Sequence, residues 1–95
     1  IIKSTVSRMC MIMENLTRAG VSIIETLRIA QTVTTNLVFA YAIERISKKI
    51  VTGQTLSELL KNETHVFPLA LSQLTAVGEK TGNMEEMFKS IAVYY

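Results

Sequence analysis

Side chains that could bind a metal ion or act as a nucleophile are scarce in this sequence. The one cysteine, Cys10, and the one histidine, His65, lie in different predicted elements, whereas a zinc site needs several Cys or His ligands. No base is near Cys10 in sequence, so we interpret it as a small apolar packing residue. We interpret His65 as a solvated loop histidine, with a titrating role as the alternative. The sequence therefore predicts no metal site and no cofactor.

Carboxylates and glycines also fail to form a known catalytic or nucleotide-binding motif. Adjacent Glu85 and Glu86 would point about 100° apart on a helix, and capping together with the helix dipole explains their place in a first turn. The segment 78–82, GEKTG, contains two glycines and a lysine but does not have the spacing of a Walker phosphate loop. We expect a protein that is not an enzyme, with a degenerate enzyme as the least favoured alternative.

Three cations, Arg45, Lys48 and Lys49, form a basic stripe on one predicted helix, and no internal partner for them is evident. Cations near a helix C-terminus interact favourably with the helix dipole, so a solvated face is one explanation. The other explanation is a contact surface for a partner protein.

The formal net charge of the whole chain is only +2, which is far too small for a nucleic-acid-binding footprint.

Composition and hydrophobic spacing predict the elements that must position these groups. The chain has 95 residues, of which 48% are hydrophobic, and its acidic residues are all Glu. This mixture favours helices, and no alternating strand pattern of useful length competes with it. We predict one all-α domain over residues 1–95, a six-helix bundle of antiparallel helices joined by short turns. The predicted helices cover about 3–19, 23–33, 37–52, a short stretch from 56, 68–82 and 84–95.

Capping residues support these boundaries. Ser22 with Glu25, and Thr55 with Glu58, have the spacing of capping boxes, and Asn36 is a good N-cap. Gly20, Gly53 and Gly82 are placed to end helices, Asn83 and Glu86 to cap the last one, and Pro68 to occupy a first helical turn. The predicted core stripes contain Val6, Met9, Met13, Leu16, Ile23, Ile24, Leu27, Ala30, Val33, Phe39, Ile43, Ile46, Ile50, Leu56, Leu59, Leu60, Leu71, Leu74, Val77, Met84, Met87, Phe88, Ile91 and Tyr95.

The first helix carries more methionine than one face can bury. Met9, Met11 and Met13 alternate, so some of these side chains must point away from the core stripe. Exposed methionine suggests an adaptable contact surface, although burial against another helix of the domain is the alternative. Together with a mean hydropathy of +0.30, this pattern leads us to expect a homodimer.

Nothing in the sequence is long and apolar enough to cross a bilayer. The longest uninterrupted apolar run is 37–43, whereas a membrane helix needs about twenty residues. The chain opens on Ile1 without the pattern of a signal peptide, so we expect it to be a piece of a longer protein.

Five segments together resemble one protein family. The segment GEKTGNM at 78–84 is similar to its GExTGxL signature, AGVSIIETL at 19–27 to its AGxxxxEAL, and GQTLS at 53–57 to its GxSLS. FPL at 67–69 and IAVYY at 91–95 fall where the family has FPxL and IAxxY. The family is that of the inner-membrane platform proteins of bacterial type II secretion systems and type IV pilus machines, and the resemblance spans nearly the whole chain. Thr55 and Met84 replace the usual Ser and Leu, which preserves a capping hydroxyl and an apolar side chain.

The resemblance implies a role that the residues alone do not. It implies a longer polytopic protein of the bacterial inner membrane with two domains like this one on the cytoplasmic side, of which this chain looks like the second. It also implies a non-enzymatic scaffold that couples a hexameric assembly ATPase, and other inner-membrane components, to pilin or pseudopilin assembly. The alternative is a helical regulatory or adaptor domain that binds a small ligand or a partner helix in a pocket with convergent polar groups.

The GEKTGNM segment also has a physical interpretation as a sharp corner between two helices. Gly78 would allow close helix approach, Thr81 and Gly82 would end one helix, and Asn83 would start the next. Glu79 lies near a helix C-terminus, where the dipole disfavours a carboxylate. We expect it to be held by a basic group or an N–H, such as one at another helix's N-terminus, with direct contact to a partner protein as the alternative.

Overall fold

The computed structural model describes the backbone of residues 2–95 and the side chains of residues 5–95, and every regular element among them is an α-helix. The six helices are α1 (Ile2–Arg18), α2 (Ile23–Val33), α3 (Leu37–Ile50), α4 (Leu56–Lys61), α5 (Leu69–Thr81) and α6 (Met84–Tyr94). The predicted all-α bundle and its six helices are therefore confirmed.

Local capping explains most of the helix ends. The side chains of Ser22 and Asn36 accept hydrogen bonds from backbone N–H groups in the first turns of α2 and α3. Thr55 and Glu58 form the complete capping box of α4. Pro68 is the exception, because it is the N-cap residue of α5 rather than a residue of its first turn. A proline fits there as well, since its φ of −61° with an extended ψ leads directly into the helix.

The first and last helices close the bundle. Ser7 Oγ, near the start of α1, donates to the Ala92 carbonyl oxygen at 2.8 Å, near the end of α6. Arg18, at the other end of α1, reaches Glu85 in the first turn of α6. These two contacts show that α1 and α6 run antiparallel, and α1 makes its most extensive interhelical contact with α6.

One apolar core fills the space between the helices. It comprises Val6, Met9, Cys10, Met13, Leu27, Ala30, Phe39, Ala42, Ile43, Ile46, Leu56, Leu59, Leu60, Val66, Phe67, Leu71, Met87, Phe88 and Ile91. The rings of Phe39 and Phe67 meet edge to face with centroids 5.3 Å apart, which ties α3 to the segment that precedes α5. Ile23, Ile50, Met84 and Tyr95 pack partly buried against this core.

Helix α5 buries a different face from the predicted one. Leu74 and Val77, predicted to point inward, are 39% and 56% exposed, while Leu71, Thr75 and Gly78 are buried. Burial of Thr75 is possible because its hydroxyl donates to the Leu71 carbonyl oxygen one turn back, at 2.6 Å. The face of α5 with Leu71, Thr75 and Gly78 thus packs against its neighbours, and Leu74 and Val77 lie on the exposed face.

Helix α2 shows the same kind of difference. Ile24 and Val33, also predicted to be buried, are 47% and 49% exposed, whereas Thr26 is fully buried. In α1, Met9 and Met13 are buried and Met11 is exposed, so the prediction that the methionines divide between two faces is confirmed. Cys10 is fully buried, and burial raises the pKa of its thiol to about 12, which fits a packing role.

The packing of α5 gives a matched pair of leucine truncations. Leu71→Ala removes a buried side chain and should lower the free energy of unfolding by about 2–5 kcal/mol. Leu74→Ala removes a side chain that the sequence places in the core but the structure places at the surface, so its cost should stay under about 1 kcal/mol. Urea denaturation followed by circular dichroism measures both, and equal losses would contradict the observed orientation of α5.

Candidate functional site

The corner between α5 and α6 is as tight as the sequence predicts. Gly82 adopts a left-handed conformation with φ +72°, and its N–H donates to the Gly78 carbonyl oxygen. The Asn83 N–H donates to the same oxygen at 3.0 Å, and the Asn83 side chain accepts from the Glu86 N–H in the first turn of α6. The predicted roles of Gly82 as helix terminator and Asn83 as N-cap are confirmed.

Gly78 and Thr81 complete the corner. A Cβ atom on Gly78 would lie 3.0 Å from Met87 Cβ and 3.1 Å from Met84 Sδ, so any larger residue would require these methionines to shift by a few tenths of an ångström. The Thr81 hydroxyl donates to the Val77 carbonyl oxygen at 3.0 Å, inside the last turn of α5. The prediction of close helix approach at Gly78 is confirmed.

The Glu79 carboxylate bridges α5 to the N-terminus of α4. Its Oε1 accepts a hydrogen bond from Ser57 Oγ at 2.6 Å, and its Oε2 accepts one from the Ser57 backbone N–H at 3.2 Å. Ser57 lies in the first turn of α4, where unpaired N–H groups and the helix dipole favour a negative charge. Of the two kinds of internal partner expected for Glu79, a basic group or an N–H, the N–H at another helix's N-terminus is observed, together with a hydroxyl that was not predicted.

A surface groove of about 450 Å³ lies where three interhelical turns meet. Its apolar walls come from the α1–α2 turn, α2, α3, α4 and α6, and its polar groups come from α1, the α3–α4 turn and α5. The lining residues are Thr17, Val21, Ile23, Ile50, Gly53, Gln54, Thr55, Leu56, Glu79, Met84 and Phe88. Three of the five segments that carry the family resemblance, 19–27, 53–57 and 78–84, thus converge on one site.

The basic stripe on α3 is divided in the structure. The Arg45 guanidinium makes two hydrogen bonds to the Glu63 carboxylate, at 2.7 and 2.9 Å, so the expectation that it has no internal partner is wrong. Arg45 pairs with Glu63 because the loop between α4 and α5 folds back against α3. Lys48 and Lys49 are exposed, and neither forms an ion pair with another side chain of residues 5–95.

Glu63 is the centre of this second polar site. It is only 6% exposed, and the hydrogen bonds from Arg45 hold its pKa below the usual range, with smaller contributions from the charges of Arg45, His65 and Lys49. Its carbonyl oxygen also accepts from the Val66 and Phe67 N–H groups, both at 2.9 Å. His65 is solvated as predicted, with its Nε2 3.7 Å from Glu63 Oε1.

A third polar contact joins α1 to α6 and was not predicted. Arg18 Nε donates to Glu85 Oε2 at 2.9 Å, and the same guanidinium donates to Glu14 Oε2 at 2.5 Å and to Asn15 Oδ1 at 2.9 Å. The i,i+4 spacing of Glu14 and Arg18 could have signalled that half of the network. Nothing in the spacing of Arg18 and Glu85 could have done so, because they are far apart in sequence. Glu85 therefore has a pairing role as well as a place in the first turn of α6.

Neither a metal-binding cluster nor a membrane-spanning helix occurs in the described part of the chain. No group of three or more His, Cys, Asp or Glu side chains there is placed to hold a metal ion. None of the helices there has the length and apolar character needed to cross a membrane.

The α5–α6 corner allows a direct test of its geometry. Gly82→Val should lower the free energy of unfolding by about 1–3 kcal/mol, because a β-branched residue is strained at positive φ. A Cβ there would meet no atom within 4 Å, so strain and not a clash is the cause. Gly82→Asn, a residue that tolerates this conformation, should cost clearly less. Thermal melting measures both, and an unchanged midpoint for the valine variant would contradict the left-handed assignment.

The Arg45–Glu63 pair predicts a pH dependence of stability. Because the pKa of Glu63 is lower in the folded chain than in the unfolded one, its contribution is complete above the unfolded pKa, about 4.3. That contribution should be lost as pH falls through the lower, folded value. Glu63→Gln should flatten this part of the curve of urea midpoint against pH. Glu86→Gln, at an exposed position, is the matched control, and equal curves for the two variants would contradict the assignment to Glu63.

The chain matches known proteins over nearly all of its length. The model of the family described as type II secretion system protein F matches residues 9–95. The type IV pilus assembly protein PilC of Pseudomonas aeruginosa is 34% identical over 93 residues, which are 98% of this chain and 25% of that protein. PilC of Thermus thermophilus is 32% identical over 98% of this chain and 23% of its own length.

A secretion protein is among the relatives as well as the pilus proteins. The type II secretion system protein F of Pseudomonas aeruginosa is 31% identical over 77 residues, or 81% of this chain and 19% of that protein. The chain thus spans about a quarter or less of the length of these relatives.

Proposed function

Because the chain belongs to the type II secretion system protein F family, we propose that it is a scaffold domain of a platform protein in a type IV pilus or type II secretion machine. The observation that carries this proposal is the family match over residues 9–95, which covers both pilus and secretion relatives. In this proposal the domain lies on the cytoplasmic side of the inner membrane and has no catalytic activity of its own.

The proposed task is to pass motion from a hexameric assembly ATPase to the pilin or pseudopilin subunits that enter or leave the membrane. A domain that transmits force must resist shear between its helices. Contacts between distant elements support this: Arg18 joins α1 to α6, Arg45 joins α3 to the loop before α5, and Glu79 joins α5 to α4. Charge pairs and hydrogen bonds thus supplement the apolar core at three interhelical positions.

Lys48 and Lys49 are the proposed contact of this domain with the ATPase. Both are exposed at the C-terminal end of α3, and their ammonium groups are available to an acidic surface. Arg45 lies on the same stripe but is engaged with Glu63, so within the proposal it positions the loop and contributes only its exposed edge.

Association into a homodimer is part of the same proposal, supported by exposed Leu74 and Val77 on α5 and Met11 on α1.

Reversing the charges of Lys48 and Lys49 distinguishes loss of the proposed contact from loss of the fold. Lys48→Glu with Lys49→Glu should lower the urea midpoint only modestly, because both positions are exposed, although the reversal opposes the helix dipole and removes the charge of Lys49 near Glu63. In cells, the same pair in the full-length protein should block pilus assembly or secretion. Lys89→Glu, at an exposed position on α6, is the matched control and should have no effect.

Two outcomes would count against the proposal. Normal assembly with the double reversal, in a protein shown to be folded and abundant, would remove Lys48 and Lys49 from the contact. Calorimetric binding of ATP to the domain itself would contradict a scaffold without nucleotide chemistry.

A further inference from the structure

The groove between the three turns combines apolar walls with one charged group. Ile23, Ile50 and Met84, all half-buried, present hydrocarbon and thioether surface, and Glu79 is the only ionisable residue among the lining side chains. A volume of about 450 Å³ lies within the range of about 300–1,000 Å³ that is usual for binding sites. The groove is therefore large enough for one or two side chains of a partner.

Glu79 keeps binding capacity that the fold does not use. Each of its oxygens accepts one hydrogen bond from Ser57, and a carboxylate offers about four acceptor positions. No Lys, Arg or His side chain within residues 5–95 pairs with it, although Glu14, Glu25, Glu63 and Glu85 each have such a partner. Because Ser57 fixes the carboxylate in place, an incoming cation would meet an acceptor that is already oriented.

The charge of Glu79 also decides which partners the groove disfavours. An anionic ligand or an acidic peptide would be repelled, since no cation lines the groove to compensate. A lysine or arginine beside an apolar side chain would match both features, because the apolar group can lie on Ile50 and Met84 while the cation reaches Glu79. Met84 is half-buried and flexible, so it can adapt to the shape of the apolar group.

We propose that this groove binds a segment of a partner protein in which a Lys or Arg lies within one helical turn of a large apolar residue, with the cation on Glu79 and the apolar side chain on Ile50 and Met84. The inference rests on the proposed function, because it assigns a second contact to the same scaffold domain. The groove and the basic stripe carry opposite charges. Lys48 and Lys49 suit an acidic partner surface, whereas the groove suits a basic one.

Site-specific photocrosslinking in the full-length protein in its native cell tests this proposal. The photoreactive residue p-benzoylphenylalanine replaces Gln54, which is exposed and lines the groove. The matched control places it at Thr32, an exposed neutral residue nine positions beyond Ile23 on α2, about 13 Å away along the helix. We expect a crosslink from position 54 and not from position 32, and peptide mapping should find Lys or Arg next to Leu, Ile, Met or Phe in the captured segment.

Two further variants, with one control, test whether binding depends on the negative charge of Glu79. Glu79→Gln keeps an oxygen for Ser57 but removes the negative charge, and it should reduce the crosslink at least about tenfold, the effect of losing one charge-assisted hydrogen bond. Thr17→Lys leaves Glu79 and Ser57 intact but supplies a competing cation at the groove, so it should cause a similar loss. Thr17→Leu is its matched control and should retain the crosslink. The urea midpoint of each variant confirms that it is folded.

Every other result overturns the proposal. These results are a captured segment without Lys or Arg, a crosslink only to a second copy or to a small molecule, equal yields from positions 54 and 32, and a yield that neither Glu79→Gln nor Thr17→Lys reduces. The proposed function fails by a different measurement, namely normal pilus assembly and secretion in cells that lack the full-length protein. The two failures are therefore distinguishable.

Discussion

The Glu79 carboxylate determines how the C-terminal half of the domain is arranged. It lies in the last turns of α5, where the helix dipole disfavours it, and it is compensated by the first turn of α4, where N–H groups favour it. One side chain thus fixes the end of α5 against the start of α4. The α3–α4 turn and the α5–α6 corner are held together as a result, and the groove is the space between them.

Gly78 supports the same arrangement from the other side of α5. Because it has no side chain, Met84 and Met87 of α6 approach the α5 backbone directly. A Cβ at this position would crowd Met84 and Met87, so the side chain of Met84 in the wall of the groove would have to shift. Gly78 and Glu79 therefore belong to one structural unit, in which the glycine positions the apolar wall of the groove and the glutamate positions its charge.

Ion pairs between distant elements fix the rest of the bundle. Arg18 and Glu85 join the ends of α1 and α6, and Arg45 and Glu63 join α3 to the loop before α5. Glu63 is almost fully buried, so loss of Arg45 would leave its carboxylate with only the smaller contributions of His65 and Lys49. Lys48 and Lys49, the exposed cations that remain on α3, form no ion pair with a side chain of residues 5–95, and a partner can reach them.

The sequence by itself determined the helices and the corner, but it left the partner of Glu79 open between a basic group, an N–H and another protein. Capping residues, left-handed glycines and the dipole act within one or two turns, so Thr55, Gly82 and Asn83 could be assigned without knowing the fold. Only the tertiary structure decided which face of α5 is buried, because that depends on how closely α6 can approach Gly78. It also decided that Arg45 meets Glu63 and that the three turns enclose a groove. Those contacts join residues that are distant in the chain, and side-chain spacing along one helix carries no information about which other helix lies opposite.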